Sequence, residues 1–331
     1  VDTDAVIAVN QPSWDRLEAL VRTRSLDAEQ IDELIGLYQR TATDLSTVRS
    51  TNPDPVLTAR LSMLLSRARS RITGARTPLW SHARAFVLED FPAALWASRR
   101  GVLVAAAVLV AATLGSALAF GLDDSLRASI VPEPEQRRLA TREFTAYYFQ
   151  GQAGGFAANV WTNNAWITVQ AVVFGVTGVW PLWMLVQNGL NLGLTGAVMG
   201  EYDRLGTFFV HLLPHGLLEL TCVVIGAGAG LRLFWSWLRP GPLPRLWALA
   251  RAGRSLVTVA IGLVPVLLVS GILEAFVTPS PLPAALRVAI GTGVWVVFLV
   301  YVVVLGRRAA SRGITGDLSE EVIGDSVAVA A

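Results

Sequence analysis

An all-α, polytopic membrane protein with an N-terminal helical domain is the fold class this sequence predicts. Three observations carry that expectation. Apolar residues make up 53% of the 331-residue chain and charged ones only 16%, against about a quarter charged in soluble domains. The apolar residues are also clustered: residues 1–100 are charge-rich, whereas 101–306 hold long stretches with almost no charge. Finally, the charges flanking those stretches fit the positive-inside rule at every loop that carries charge.

The first domain is expected over 1–98, with helix from about residue 12. In DAEQIDELIGLYQRTATDL, Ile31, Leu34, Ile35, Tyr38, Ala42 and Leu45 recur at helical spacing. Asp27 followed by Gln30 has the spacing of a capping box, in which each residue satisfies the other's free backbone donor. TNPDP at 51–55 breaks the helix, and a second begins near Pro55 with Leu57, Leu61, Leu64, Leu65 and Ala68 on one side. Every one of the 27 basic residues is arginine. Residues 1–54 carry ten acids and five bases, and 55–100 two and eight. The half nearer the apolar region is therefore positive. Arg67, Arg69, Arg71, Arg76, Arg99 and Arg100 are candidates for contact with anionic headgroups. The first hundred residues hold no signal-peptide-like run, so this domain is expected in the cytoplasm. The single cysteine, Cys222, excludes an internal disulfide and a thiolate metal cluster.

Six spans are expected, at about 102–121, 162–177, 180–200, 206–233, 255–277 and 284–306, since ~20 apolar residues cross the hydrocarbon core. Arg99-Arg100 before the first span and Asp123-Asp124 after it set its N-terminus inside. Residues 122–160 form an external loop, in which RRLATREFTAYYFQ reads as an interfacial amphipathic helix anchored by Tyr147, Tyr148 and Phe149. The forty uncharged residues 161–200 suit two short helices folded at Gly175, Gly178 or Pro181. Five arginines and no acid over 232–254 mark a cytoplasmic loop. Both termini are then cytoplasmic, and 309–331 reads as a disordered tail.

The chemistry is concentrated in HLLPHGLLEL, 211–220. His211, His215 and Glu219 are spaced by four and form a ladder up one helix side, disturbed by Pro214 and Gly216. Glu219 lies near mid-membrane, where an ionised carboxylate costs ~2.5–3.5 kcal/mol or more on insertion scales. It must be protonated or paired. Glu274, in SGILEAFVTPS, is a second acid within a span and falls at a depth where the four groups can meet. Three readings are open: a polar cluster that locks helices together, a proton or ion relay, and a metal-assisted hydrolase using His211, His215 and Glu219 as ligands. The HExxH pattern that supplies a metalloprotease with its general base is absent.

Asn159, Asn163, Asn164, Asn188 and Asn191 form a second polar set, read as interfacial caps and inter-helix hydrogen bonds. GAGAG at 226–230 has the wrong spacing for a dinucleotide fingerprint and follows no strand; Gly226 and Gly230 read better as a small-residue packing face. No phosphate-binding loop, nucleophile elbow or nucleic-acid module occurs.

LYQRTATDL (37–45), the paired asparagines of TNNAW (162–166), the NG of VQNGLNLG (186–193), PHGLLEL (214–220) and EAFVTPS (274–280) together resemble the stage II sporulation protein M family of integral membrane proteins. The PHGxxE element is the most specific of these. Carried over position by position, the resemblance implies a polar signature at Asn163, Asn164, Asn188, Gly189, His215, Gly216, Glu219, Glu274, Thr278 and Pro279; His211 is not in it. It also implies a multipass plasma-membrane protein that scaffolds peptidoglycan-degrading partners in engulfment. The long N-terminal domain is a departure from the named member. The expectation is a non-enzymatic membrane scaffold or complex subunit tied to envelope remodelling, without a cofactor and without nucleic acid. Its expected partners are lipids, other membrane proteins and further copies of itself. The competing class is a transporter or channel using His215, Glu219 and Glu274, and the intramembrane metal-dependent hydrolase is the third.

Overall fold

The computed structural model of the chain describes residues 3–23, 26–51, 55–73, 79–148, 166, 170 and 173–317. All regular structure among them is helical. Contacts divide the chain into two units that meet at Ala83 and Arg84.

The first unit is built on three helices: α1 (Thr3–Arg22), α2 (Ala28–Thr51) and α3 (Pro55–Thr73). The entry to α2 is a capping box. The Gln30 amide donates to Asp27 Oδ1 at 2.8 Å, and the Asp27 amide donates to Gln30 Oε1 at 3.2 Å. α3 begins at a proline, tolerated there because the first turn has no carbonyl to receive its missing N–H. Trp14, Leu17, Leu20, Leu34, Leu45 and Leu61 fill the core, and the Trp14 indole N–H reaches Asp44 at 2.9 Å. The buried stripe of α2 runs through Leu34, Leu37, Thr41, Leu45 and Val48, while Ile31 is exposed. Of the expected stripe, Leu34 and Leu45 are buried, Tyr38 packs against the core, Ile35 and Ala42 are half-buried and Ile31 is exposed, a small rotation of the buried face set by α1 and α3.

The second unit spans 84–317. The expected boundary at 98 therefore falls inside it. After α4 (Leu79–Ala85), the segment Phe86–Asp90, a π-turn, and α5 (Phe91–Ala97) pack with the apolar helices: Phe91 lies in the core cluster with Leu218, Leu256 and Leu263. Among the described residues, four helices are long and apolar enough to cross a membrane: α6 (Arg99–Leu122), α11 (Leu205–Leu238), Arg245–Val277 (α12, Arg245–Ile272, and its π-helical extension) and α13 (Ala284–Ser311). α10 (Val179–Glu201) coincides with an expected span and is long enough, and Gln187, Asn188 and Asn191 interrupt its apolar sequence. It follows a 3-10 turn at Gly175–Thr177 and the positive φ of 68° at Gly178, a geometry that glycine adopts without strain. Most of the expected span 162–177 lies outside the described residues.

α11 and the Arg245–Val277 segment are half buried, whereas α6 and α13 are mostly exposed. In the GAGAG stretch Gly230 is approached by Gly175, where a Cβ would lie 2.8 Å from the Gly230 Cα, and Gly228 is approached by α6. A Cβ there would lie 2.5 Å from the Val102 nitrogen, so α6 and α11 touch backbone to backbone.

Between α6 and residue 148 run α7 (Asp124–Ile130), α8 (Glu133–Arg138), a π-turn (Leu139–Glu143) and α9 (Phe144–Tyr147). Asp123 caps α7, accepting from the Ser125 hydroxyl at 2.6 Å and the Leu126 amide at 2.9 Å. Those bonds, the hydroxyl's first, hold its carboxyl below the ordinary aspartate range. Arg127 is the hub of this region. It is buried and donates to Gln136 Oε1 at 3.0 Å and to the Phe120 carbonyl at 2.7 Å, and it pairs with Asp124 and Glu201. At the other end, α13 continues to Ser311 and residues 312–317 are packed. Arg251 pairs with Asp317 at 3.0 Å, and Gly316 lies against Asp90 and Ala94. Of the tail expected to be disordered over 309–331, residues 309–317 are thus held by charge pairs and a glycine-sized contact, and 318–331 lie outside the described residues.

Candidate functional site

Four buried polar residues of the second unit, His215, Ser270, Glu274 and Thr278, converge where α11 meets the end of the Arg245–Val277 segment. Pro214 stands inside α11; having no N–H, it leaves the Val210 carbonyl without its helical donor. His215 and Glu219 follow, one turn apart on the same side. Opposite them, α12 passes into a π-turn at Leu273–Val277, closed by the Thr278 amide on the Leu273 carbonyl at 2.9 Å. Such turns recur at functional sites because the extra residue re-aims side chains. Here Glu274 and Thr278 both point at His215.

The His215 ring is gripped at both nitrogens. Nδ1 lies 3.2 Å from Thr278 Oγ1, and Nε2 lies 4.0 Å from Glu274 Oε1. The Thr278 hydroxyl donates its one proton to the Leu273 carbonyl at 3.3 Å, so towards His215 it accepts. That assigns the ring proton to Nδ1 and leaves the Nε2 lone pair facing the Glu274 carboxyl. His215 is 4% exposed and Glu274 3%. The Ser270 hydroxyl donates to the His215 carbonyl at 3.2 Å, and an Arg287 Nη1 hydrogen from α13 is donated to the Thr278 carbonyl.

Ligating atoms of His215, Glu219 and Glu274 all lie within 4.8 Å of one another. Glu274 Oε2 is buried and makes no hydrogen bond; the carboxyl's other contact is the Tyr147 hydroxyl. Tyr148 covers the site, its ring centre 5.8 Å from that of His215 and 5.4 Å from that of His211.

Of the sequence-predicted residues, the fold thus brings together His215, Glu219, Glu274 and Thr278, with Gly216 and Pro279 adjoining them in the chain. His211 is near but differently engaged: its Nδ1 donates to the Thr207 carbonyl at 2.8 Å and its ring packs on Phe144 and Tyr148. It is not in the compact ligand group, where Glu274 stands instead. Asn188 and Gly189 lie elsewhere, on the α6–α10 seam. Asn188 donates to its own helix at the Met184 carbonyl at 2.8 Å, and the Gly189 carbonyl accepts from Ser116 at 3.1 Å. Asn163 and Asn164 are outside the described residues. Of the basic set, Arg67 and Arg69 are exposed on α3, Arg71 donates to the Thr23 carbonyl, and Arg99 lies over the Trp96 ring beside the exposed Arg100. Arg76 is outside the described residues.

Sequence reasoning missed Tyr147, Tyr148, Ser270 and Arg287 as members of this site. Tyr147 and Tyr148 are expected as interfacial anchors; instead Tyr148 is buried against the histidines. The available signal was a pair of polar-tipped aromatics leading back towards a span with uncovered polar groups.

A family model described as stage II sporulation protein M matches residues 93–279. A second, described as a domain of unknown function, matches residues 4–74. No curated protein and no solved structure matches the chain. The first match takes in over half the chain, with His215, Glu219, Glu274 and Thr278 inside it and Arg287 beyond it, and the chain belongs to the stage II sporulation protein M family.

Proposed function

We propose that the chain is a non-enzymatic subunit of a plasma-membrane complex. It is a scaffold on which other membrane proteins, peptidoglycan-degrading enzymes among them, assemble for remodelling of the cell envelope. In this reading the chain crosses the membrane about six times with both termini in the cytoplasm. The observation that carries it is how the polar cluster is used. His215, Ser270, Glu274 and Thr278 are buried and directed at one another across two helices, which fixes helix geometry. α6 and α13 keep broad apolar faces for lipid or partners. The test is cross-linked co-purification from native membranes. A scaffold brings down a reproducible set of envelope proteins, and Glu219→Gln keeps that set; a chain recovered alone under cross-linking refutes the reading.

A second reading, a proton or ion pathway, is favoured by one observation: a buried carboxylate oxygen of Glu274 without a hydrogen-bond donor. Proteoliposomes decide it. A pathway gives a flux that Glu219→Gln abolishes while the protein stays folded, and a scaffold gives none with either protein.

A further inference from the structure

We infer that His215, Glu219 and Glu274 bind one divalent first-row metal ion, zinc by the character of the donors, as a structural clamp between α11 and the Arg245–Val277 segment. The inference concerns the same cluster as the proposed scaffold but does not depend on any partner being assembled.

Four observations lead to it. The donor set is right: one imidazole and two carboxylates, each a regular zinc ligand. Their ligating atoms already lie within 4.8 Å of one another, and zinc bonds of ~2.0–2.2 Å bring tetrahedral ligands to roughly 3.3 Å apart. The required closure is about the swing of a carboxylate. The histidine is also prepared. With its own proton on the Leu273 carbonyl, Thr278 Oγ1 accepts a hydrogen bond from Nδ1–H, and Nε2 presents a lone pair to the site. A second partner that fixes the tautomer in this way is the usual support of a metal-ligating histidine.

The third observation is a mismatch that an ion resolves. The Nε2 lone pair and Glu274 Oε1 face each other at 4.0 Å. Two acceptors at that separation repel, and 4.0 Å is too long for a proton to bridge as a hydrogen bond. It exceeds the ~3.3 Å between two ligands of a tetrahedral zinc by only about 0.7 Å. Fourth, Glu274 is 97% buried by its 3% exposure, and its Oε2 has no hydrogen-bond donor. Two carboxylates at this depth bring two negative charges into a poorly solvating region, and a divalent cation neutralises both together. The Tyr147 hydroxyl, already at the Glu274 carboxyl, or a water completes four-coordination.

The site differs from the ladder of His211, His215 and Glu219 that spacing alone suggests. His211 is engaged with the Thr207 carbonyl, and Glu274 takes its place from the other helix. A clamp needs ligands from both helices, and the ladder on α11 alone would join nothing.

The experiment uses the full chain in detergent, stripped with a chelator and reloaded. Metal content is read by elemental mass spectrometry, affinity by competition with a chromophoric zinc chelator, and coordination by the visible spectrum of the cobalt-substituted protein. We expect one zinc per chain, a tetrahedral cobalt spectrum, and a melting temperature that falls on chelation and recovers with zinc. Glu274→Gln and Glu219→Gln, near-isosteric changes, should weaken zinc binding by at least tenfold. Thr278→Val should weaken it by about 10–100-fold, as loss of a second partner does, and His211→Ala should leave one zinc per chain. A folded, monodisperse wild-type chain that takes up no zinc and gives no tetrahedral cobalt spectrum overturns the inference. So does a Glu274→Gln protein that binds zinc as wild type does. If the glutamine variants do not fold, the wild-type stoichiometry and cobalt spectrum decide alone. Metal content is measured on the isolated chain and partner recovery in membranes, so failure of the clamp and failure of the scaffold are told apart.

Discussion

Substituting alanine at Gly291 probes how tightly α13 is pressed onto the site. An ideal Cβ at Gly291 would lie 2.0 Å from the Pro214 carbonyl oxygen, 2.4 Å from its Cα and 2.5 Å from its carbonyl carbon. All three are backbone atoms, so no rotamer change relieves the clash. Bringing the nearest contact out to 3.0 Å requires the helices to part by about 1 Å, the difference between 3.0 and 2.0. Overpacking of this kind costs about 1–3 kcal/mol. Gly293, two residues along the same helix, is the internal control: a Cβ there meets nothing within 4 Å. Both substitutions gain the same helix propensity, roughly 0.5–1 kcal/mol of alanine over glycine. That gain cancels in the comparison and leaves the steric effect alone. Gly293→Ala should therefore melt at or slightly above wild type and Gly291→Ala below it. At ~2–4 °C per kcal/mol for a domain of this size, several degrees should separate them. The assay is thermal denaturation in detergent followed by size-exclusion chromatography. If the two variants melt together, α13 does not rest on the Pro214 backbone and the packing described around His215 is wrong.

Three further outcomes are expected. Arg127→Lys should destabilise the second unit by about 1–3 kcal/mol, because an ammonium cannot serve Gln136, the Phe120 carbonyl, Asp124 and Glu201 together; thermal melts beside Arg138→Lys as a control test this. Leu61→Ala, in a fully buried position, should cost the first unit about 2–5 kcal/mol, while Met63→Ala, 57% exposed, should change little; rates of proteolytic cleavage within 1–83 of the whole chain separate the two. The Asp123 cap should be acid-sensitive. Its carboxyl titrates lower folded than unfolded, so its contribution is complete above the unfolded value of about 3.9 and is lost as pH falls through the folded one. Hydrogen exchange at the Leu126 amide should accelerate over that range in wild type and show no such transition in Asp123→Asn.

What the sequence made legible follows from where each signal resides. The Asp27–Gln30 box is local, four residues satisfying each other's donors, and it reads directly. Long apolar helices are also legible, because an α6 or an α13 needs only about twenty residues without charge. The face a helix turns inward is another matter. On α2, Ile31 and Leu34 lie only about 60° apart around the helix, and packing against α1 and α3 decides which of them is buried. Residues 84–97 looked like the end of a soluble domain because Glu89 and Asp90 are charged; Phe91 under Gly262 ties them to the apolar helices. The polar signature was legible as residue types and not as an assembly. Nothing local says that Glu274 replaces His211 beside His215, or that Tyr148 comes back from the 122–148 segment to cover them.

The site is better understood as a junction of three helices than as a lining. His215 and Glu219 are one turn apart on α11, and Glu274 and Thr278 are likewise four residues apart across the π-turn. Each pair offers one side of its helix, and the two sides meet at a single imidazole ring. α13 joins at the same level, through Arg287 on the Thr278 carbonyl and Gly291 on the Pro214 carbonyl, one turn apart again. Both of those contacts end on backbone oxygens next to, or bonded to, residues of the cluster. A displacement of any one helix is therefore felt at the others through backbone, which flexible side chains cannot absorb. A conduction path would require these polar groups to remain accessible to water along a line. Here His215, Glu274 and Thr278 are turned towards one another at a crossing point, and that geometry is the reason the scaffold is the reading proposed.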